Sequence, residues 1–406
     1  MDVDIRACAS ADEVKQAIAP ISNYFGRSVP NSDGAERMAR LLPAERVCAA
    51  WEGGRAVGGL GAFPFQLTVP GGRVAAAGVT IAGVLPTHRR RGSLSAMMRA
   101  LIDANHARAE SVAYLWAAED TIYGRFGFGL ASFTAEIDLP RERSAFRAPL
   151  SSSGRVQLVP LGTAEGLLAP IYEGVAVETP GMFERNSAWW QIRTLADPEW
   201  RRRGNGDLQC AVLEHEGRAT AYALYRINPA FQRGIQTGSV AVVEAVAASP
   251  EATRGIWRYL LDIDWMARVK ADLLPLDHPL LLLMAEPRRL GFTLRDGLWL
   301  RLVDIRTAMA ARSYQARGSL VIDVSDEFCP WNAAVGGLVP RVSSAPRTPP
   351  ACVAMSVPLA RCIWGDLPGA NWHALCGFKS CSPAPSHMPT GSSKQEPHLG
   401  ALKFSN

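Results

Sequence analysis

Val79-Thr80-Ile81-Ala82-Gly83-Val84-Leu85, then Pro86-Thr87-His88-Arg89-Arg90-Arg91-Gly92, then Leu94, Met97, Met98, Leu101 and Ile102 succeed one another in this chain. The first is an apolar run stopped by a proline. The second is a basic turn ending on glycine. The third set falls at the i, i+3, i+4, i+7 spacing of an amphipathic helix. Together they predict a strand, a turn and a helix. Such a turn presents free backbone N–H groups and guanidinium charge at the positive end of a helix dipole, where phosphate or pyrophosphate is held well. A phosphorylated cofactor is therefore expected before any substrate can be named.

Downstream, Val112-Ala113-Tyr114-Leu115-Trp116-Ala117 reads as a buried strand by its length and apolar content. Thr121 to Gly129 is a loop rich in glycine and aromatic residues, and Phe133 to Leu139 returns to strand-like alternation. Charges, prolines and the run Ser151-Ser152-Ser153 mark a boundary near residue 150. The middle of the chain echoes the first part: a strand at Val240 to Val246, then Pro250 and Gly255, then a stripe of Ile256, Tyr259, Leu260 and Ile263. Glu251-Ala252-Thr253-Arg254 stands there in place of the basic cluster. This predicts a tandem repeat with one phosphate-competent copy and one scaffold copy. A third unit begins at Leu298-Trp299-Leu300-Arg301-Leu302-Val303 and continues through a short helix near Ala308 to Ser313 and a strand at Ser319 to Val324. Beyond Asn332 proline, serine and cysteine become frequent and regular periods stop, so 333–406 is expected to be out of frame or disordered.

The chain has 406 residues, enough for two or three domains, and 48% hydrophobic residues supply their cores. A formal net charge of +5 is too mild to argue for nucleic acid. The two arginine triplets, Arg89 to Arg91 and Arg201 to Arg203, lie far apart without interleaved aromatics, which excludes that partner further. Arg201-Arg202-Arg203-Gly204 has no strand before it and no helix after it, so it is expected to be a solvated loop. His88 and His106 are likewise expected to be solvated. The N-terminus carries no secretory signal and the greasiest stretch, Leu273 to Ala285, is broken by Asp277, His278 and Pro279; no membrane span and a cytoplasmic location are expected. Cys8, Cys48, Cys210 and Cys329 follow no framework and are expected as reduced thiols. His373, Cys376, Cys381 and His387 have irregular spacing, and no metal is expected.

The choice of phosphate follows from what the turn lacks. It has neither the Gly-Lys-Ser/Thr of a Walker loop nor the three spaced glycines of a dinucleotide fingerprint. Arg89-Arg90-Arg91-Gly92-Ser93-Leu94 instead resembles the coenzyme A turn of GNAT acetyltransferases, Gln/Arg-x-x-Gly-x-Gly/Ala, departing only at Leu94. With Pro86-Thr87-His88 before it, Ile122-Tyr123-Gly124-Arg125-Phe126-Gly127-Phe128-Gly129 after it, and Asp296-Gly297-Leu298-Trp299-Leu300-Arg301 later, the chain resembles the Eis (enhanced intracellular survival) family of tandem GNAT proteins over most of residues 1–330.

That resemblance implies a mixed α/β fold: a GNAT domain over 1–150, a GNAT-like domain without the cofactor turn over 151–295, and a smaller sterol-carrier-like α+β domain over 296–406. It implies acetyl-CoA contacts at Ala82, Gly83 and Val84, at Arg90, Arg91, Gly92, Ser93, Leu94 and Ser95, and at Ala118 and Glu119. Tyr123 matches the family's general acid. The chain-terminal carboxylate, here on Asn406, matches its general base, although the family's terminus is aromatic and this one is polar. The implied reaction is acetyl transfer to a primary amine of a multi-amine acceptor (an aminoglycoside, a polyamine or a lysine side chain) by a homohexamer. A non-catalytic acyl-CoA or lipid-binding protein, with the arginine cradle but a defective tail, is the rival expectation.

Overall fold

The computed structural model describes residues 3–26, 32–148, 154–314, 320–333, 351–356 and 379–380. Two seven-stranded sheets carry the described fold. In the first, the strands run in the order Asp4–Ala7, Val47–Glu52, Arg55–Val69, Gly72–Val84, Val112–Trp116, Leu298–Leu302, Gly129–Leu130. Neighbours are antiparallel except Gly72–Val84 and Val112–Trp116, which run parallel.

Successive strand residues point to opposite faces, and Val47–Glu52 shows what covers each. Val47, Ala49 and Trp51 pack with Val14, Ala17 and Ile18 of the helix Ala11–Tyr24. Cys48 and Ala50 pack with Met97, Met98, Leu101 and Ile102 of the helix Ser93–Ala107. One helix therefore lies on each face, and the predicted apolar stripe is the buried one. Each fully buried Met, Leu or Ile side chain contributes on the order of 2 kcal/mol.

The central sheet repeats the plan, in the order Thr293–Asp296, Phe133–Pro140, Arg268–Leu274, Ser239–Ala247, Arg218–Asn228, Leu208–His215, Arg155–Leu158. Ala211, Ala223 and Tyr225 face the helix Pro250–Asp262, while Cys210, Val212, Tyr222 and Leu224 face the helix Leu161–Ala176. The expected echo is present, with Trp257 and Leu261 buried beside the predicted Ile256 and Leu260.

Chain order and sheet membership diverge at the expected boundaries. Phe133–Pro140, read as part of 1–150, is a strand of the central sheet. Leu298–Leu302, read as the head of a third unit, is an inner strand of the first sheet, hydrogen-bonded on both edges. Leu300 and Leu302 are buried with Leu67, Val74 and Met309, so the strand fills a core that already exists. After it come the helix Ile305–Ala310 and a small sheet of Leu320–Ser325, Ala351–Ser356 and Lys379–Ser380.

Two smaller expectations change, those for the arginine loop and for the histidines. Arg201 and Arg202 are half-buried rather than solvated, because Arg201 donates to the Ala196 carbonyl at 2.9 Å and Arg202 pairs with Asp197 and Asp207. His88 is tied to Thr87 and Glu52, and His106 stacks on Trp331 at 4.3 Å between ring centroids. Cys8, Cys48, Cys210 and Cys329 are free and buried.

Candidate active site

The predicted cofactor strand opens where its pairing stops. Only Ala76, Ala77 and Gly78 are in register with Val112, Ala113 and Tyr114. Among the described residues the strand has no partner on that side from Val79 to Val84, and its residues change from buried to half-exposed. The divergence coincides with a bulge: Gly59 faces Gly83 and Gly61 faces Thr80, so Ile81 and Ala82 together oppose Leu60. Ile81 takes φ +51° there. A bulge of this kind adds local twist and bends the strand away from its neighbour. Ala82, Gly83 and Val84 are left with backbone groups that a ligand's amides can pair with.

The turn beyond is fixed by its own side chains. Arg89 Nε donates to the Val84 carbonyl at 3.2 Å, and Arg91 Nη2 donates to the Thr87 carbonyl at 3.1 Å. His88 Nε2 lies 2.7 Å from Glu52 Oε2, and Arg91 sits 3.8 Å from the same carboxylate. The His88 hydrogen bond, together with the positive charges, holds the Glu52 carboxyl below the usual carboxylate range. Arg90 is exposed in the left-handed region at φ +62°, a strained conformation for a residue with a Cβ. Gly92, at φ +84°, begins the helix Ser93–Ala107 with no side-chain cap and no acid in the first turn.

These features fit a pyrophosphate. The first N–H groups of the helix have no intrahelical partner; among the described residues, a Cβ at Gly92 would meet nothing within 4 Å and the buried Ser93 hydroxyl has no partner. Leu94 is half-buried and Ser95 exposed. The helix Pro250–Asp262 is the contrast. Its cap Ser249 accepts from Ala252 N, Pro250 has no N–H to offer, and Glu251 puts negative charge in the first turn.

On the far side of the opening, Ala118 and Glu119 are exposed, and Glu119 accepts from the Tyr24 hydroxyl at 3.3 Å. The Arg89 guanidinium lies 5.2 Å from the Tyr24 ring centre. Tyr24 thus joins the two sides, a contact across 95 positions that no local signal announces. Tyr123 ends the short helix Asp120–Tyr123 and is 8% exposed, its ring edge-on to Phe128. Burial raises its pKa above the ordinary tyrosine value. Ala82, Val84, Leu94 and Tyr123 belong to one packed cluster, so the structure brings strand, turn and tyrosine together. Asn406 and the group His373, Cys376, Cys381 and His387 lie outside the described residues.

An acetyltransferase (GNAT) domain profile matches residues 4–131, and a second profile of the same description matches 181–306. The chain is 38% identical over 311 residues to an N-acetyltransferase of Streptomyces avermitilis, covering 76% of each protein. It is 33% identical over 323 residues to the N-acetyltransferase Eis of Mycobacterium bovis, again covering 76% of each. The crystal structure of Eis1 from Mycobacterium abscessus superposes with a TM-score of 0.77 at 32% identity, over 94% of both chains.

The chain belongs to the Eis family of N-acetyltransferases. Its two GNAT domains make it an acyltransferase, and GNAT domains use acetyl-CoA. A GCN5-related N-acetyltransferase from Anabaena variabilis shares the fold, with a TM-score of 0.70 at 18% identity over 87% of both chains. No described helix of this Eis-family chain is long and apolar enough to cross a membrane.

Proposed function

We propose that acetyl transfer takes place at the opening between Gly72–Val84 and Val112–Trp116, with a primary amine of a small multi-amine molecule or a lysine side chain as acceptor. Aminoglycosides and polyamines are the small-molecule classes that the family resemblance brings forward. The observation that carries the reading is an uncapped, arginine-flanked helix N-terminus beside a strand edge left unpaired. Ala82, Gly83 and Val84 would pair with the amides of the pantetheine arm. Arg90, Arg91 and the amides of Gly92, Ser93, Leu94 and Ser95 would hold the pyrophosphate. Ala118 and Glu119 would line the opposite side. Acetyl-CoA supplies, when bound, the thioester carbonyl and the sulfur that departs.

Tyr123 keeps its proton at Oη through neutral pH, because burial holds its pKa above 10, and can release it there to a departing thiolate. The carboxylate of Asn406 is assigned the removal of a proton from the acceptor amine. In this reading the two seven-stranded sheets with their helices are the two GNAT units, a sterol-carrier-like unit after Leu302 delivers the terminus, and the chain assembles as a cytoplasmic homohexamer. The test is release of free thiol from acetyl-CoA by purified protein offered a panel of amines, alongside calorimetric titration with acetyl-CoA. Binding together with amine-dependent thiol release supports the reading. Protein that binds no acetyl-CoA, or releases no thiol with any amine, overturns it.

A further inference from the structure

The segment Asp296-Gly297-Leu298-Trp299-Leu300-Arg301 has no part in the chemistry above, yet it lies against the loop that carries Tyr123. The strand Leu298–Leu302 is inserted between the strand that leads to Tyr123 and the one that follows it. Leu298 is opposite Trp116, while Trp299 and Leu300 are opposite Leu130 and Gly129. Residues 117–128 therefore arch from one side of this strand to the other. Within the arch, Phe128 N bonds back to the Tyr123 carbonyl at 3.3 Å and Gly127 N to the Gly124 carbonyl at 2.9 Å.

Arg301 is 2% exposed, and its Nη2 donates to both carboxylate oxygens of Asp326 at 2.7 Å. Its Nη1 sits where a side chain at Gly127 would be, so a Cβ there would clash with that nitrogen. Gly127 holds φ +81°, so glycine is required twice over. Asp326 also accepts from Cys329 N at 2.9 Å, Phe328 N at 3.2 Å and Asn332 Nδ2 at 3.0 Å. Phe328 in turn meets Phe126 edge-on at 5.6 Å. A buried ion pair is a poor way to add stability, since apolar residues of the same volume serve as well or better. What this one does is fix the position of a guanidinium beneath the turn that starts at Tyr123.

We propose that Arg301 and Asp326 are positioning residues for Tyr123, so that a segment near residue 326 sets the geometry of the acid in the N-terminal GNAT domain. This rests on the assignment of Tyr123 as the acid. The test is a double-mutant cycle in the full chain between Asp326→Asn and Tyr123→Phe, read as kcat and as acetyl-CoA affinity. Asp326→Asn alone should lower kcat about tenfold or more while acetyl-CoA affinity changes less than about threefold. In the Tyr123→Phe background it should change kcat less than about twofold, because its effect passes through the hydroxyl already removed. Equal loss in both backgrounds, or an unchanged kcat, overturns the positioning role and leaves the acid assignment standing. Tyr123→Phe with an unaltered kcat overturns both. If Asp326→Asn does not fold, Asp326→Glu keeps the charge but displaces the Arg301 guanidinium, and the same outcomes in the same cycle decide.

Discussion

Tyr123 is buried against Phe128 and retains its proton, so replacing its hydroxyl removes chemistry without removing much packing. Tyr123→Phe should lower kcat by about 10²- to 10⁴-fold, the range of a lost general acid, with acetyl-CoA affinity unaltered by titration calorimetry. Gly92 is the opposite case. Its φ of +84° is one that a Cβ strains, and the open space around it is left for the cofactor. Gly92→Ala should raise the Kd for acetyl-CoA and cost on the order of 1–2 kcal/mol in stability, with residual turnover at saturating cofactor. His278, remote from both, sets an acid limit. It is 7% exposed, and its Nδ1 accepts from Leu280 N, so the ring is neutral. Burial lowers its pKa to about 4, with Asp277 opposing weakly. The unfolded chain binds this proton first as pH falls below about 6.5. Stability should therefore drop by roughly 2–3 kcal/mol between pH 7 and 4. Urea midpoints of the wild type and His278→Phe over that window check it: the variant's should fall less steeply.

At the scale of elements, two helices in like positions do different work because of their first residues. Gly92 leaves the helix Ser93–Ala107 open to an anion; Ser249, Pro250 and Glu251 close the helix Pro250–Asp262. Ser249→Ala should destabilise the protein by about 1 kcal/mol in thermal unfolding and leave acetyl-CoA binding intact. This difference was legible in the sequence, because caps, prolines and charges act within a turn of where they stand. So were the stripe of Met97, Met98, Leu101 and Ile102 and the strand that runs into Pro86. The bulge at Ile81 was not legible, since nothing in Val79 to Leu85 tells which residue will lack a partner across the sheet. Nor were Tyr24 and Glu52, which reach the site from other elements, or the histidines, whose neighbours are supplied only by folding.

The whole molecule is where the sequence reading and the structure part most. Reading along the chain placed boundaries at 150 and 295, but Phe133–Pro140 and Leu298–Leu302 each complete the sheet on the other side of a boundary. Period and turn signals report what an element is, and pairing over a hundred positions or more is invisible to them. A protein ending after Ala333 keeps Arg301, Asp326 and Asn332 in their buried network. It should fold and bind acetyl-CoA, and loss of turnover in it would point to the terminal carboxylate. A protein ending before Leu298 should fail to fold, as judged by proteolysis and circular dichroism.

The inserted strand also dictates a timetable for the newborn chain. Trp116 leaves the ribosome long before Leu302 does, on the order of ten seconds or more at ~5–20 residues per second. Throughout that interval the hydrogen-bonding edge of Val112–Trp116 has no mate, and the surface that will bury Leu300 stays greasy and accessible. Anything that slows elongation through the central domain prolongs that exposure.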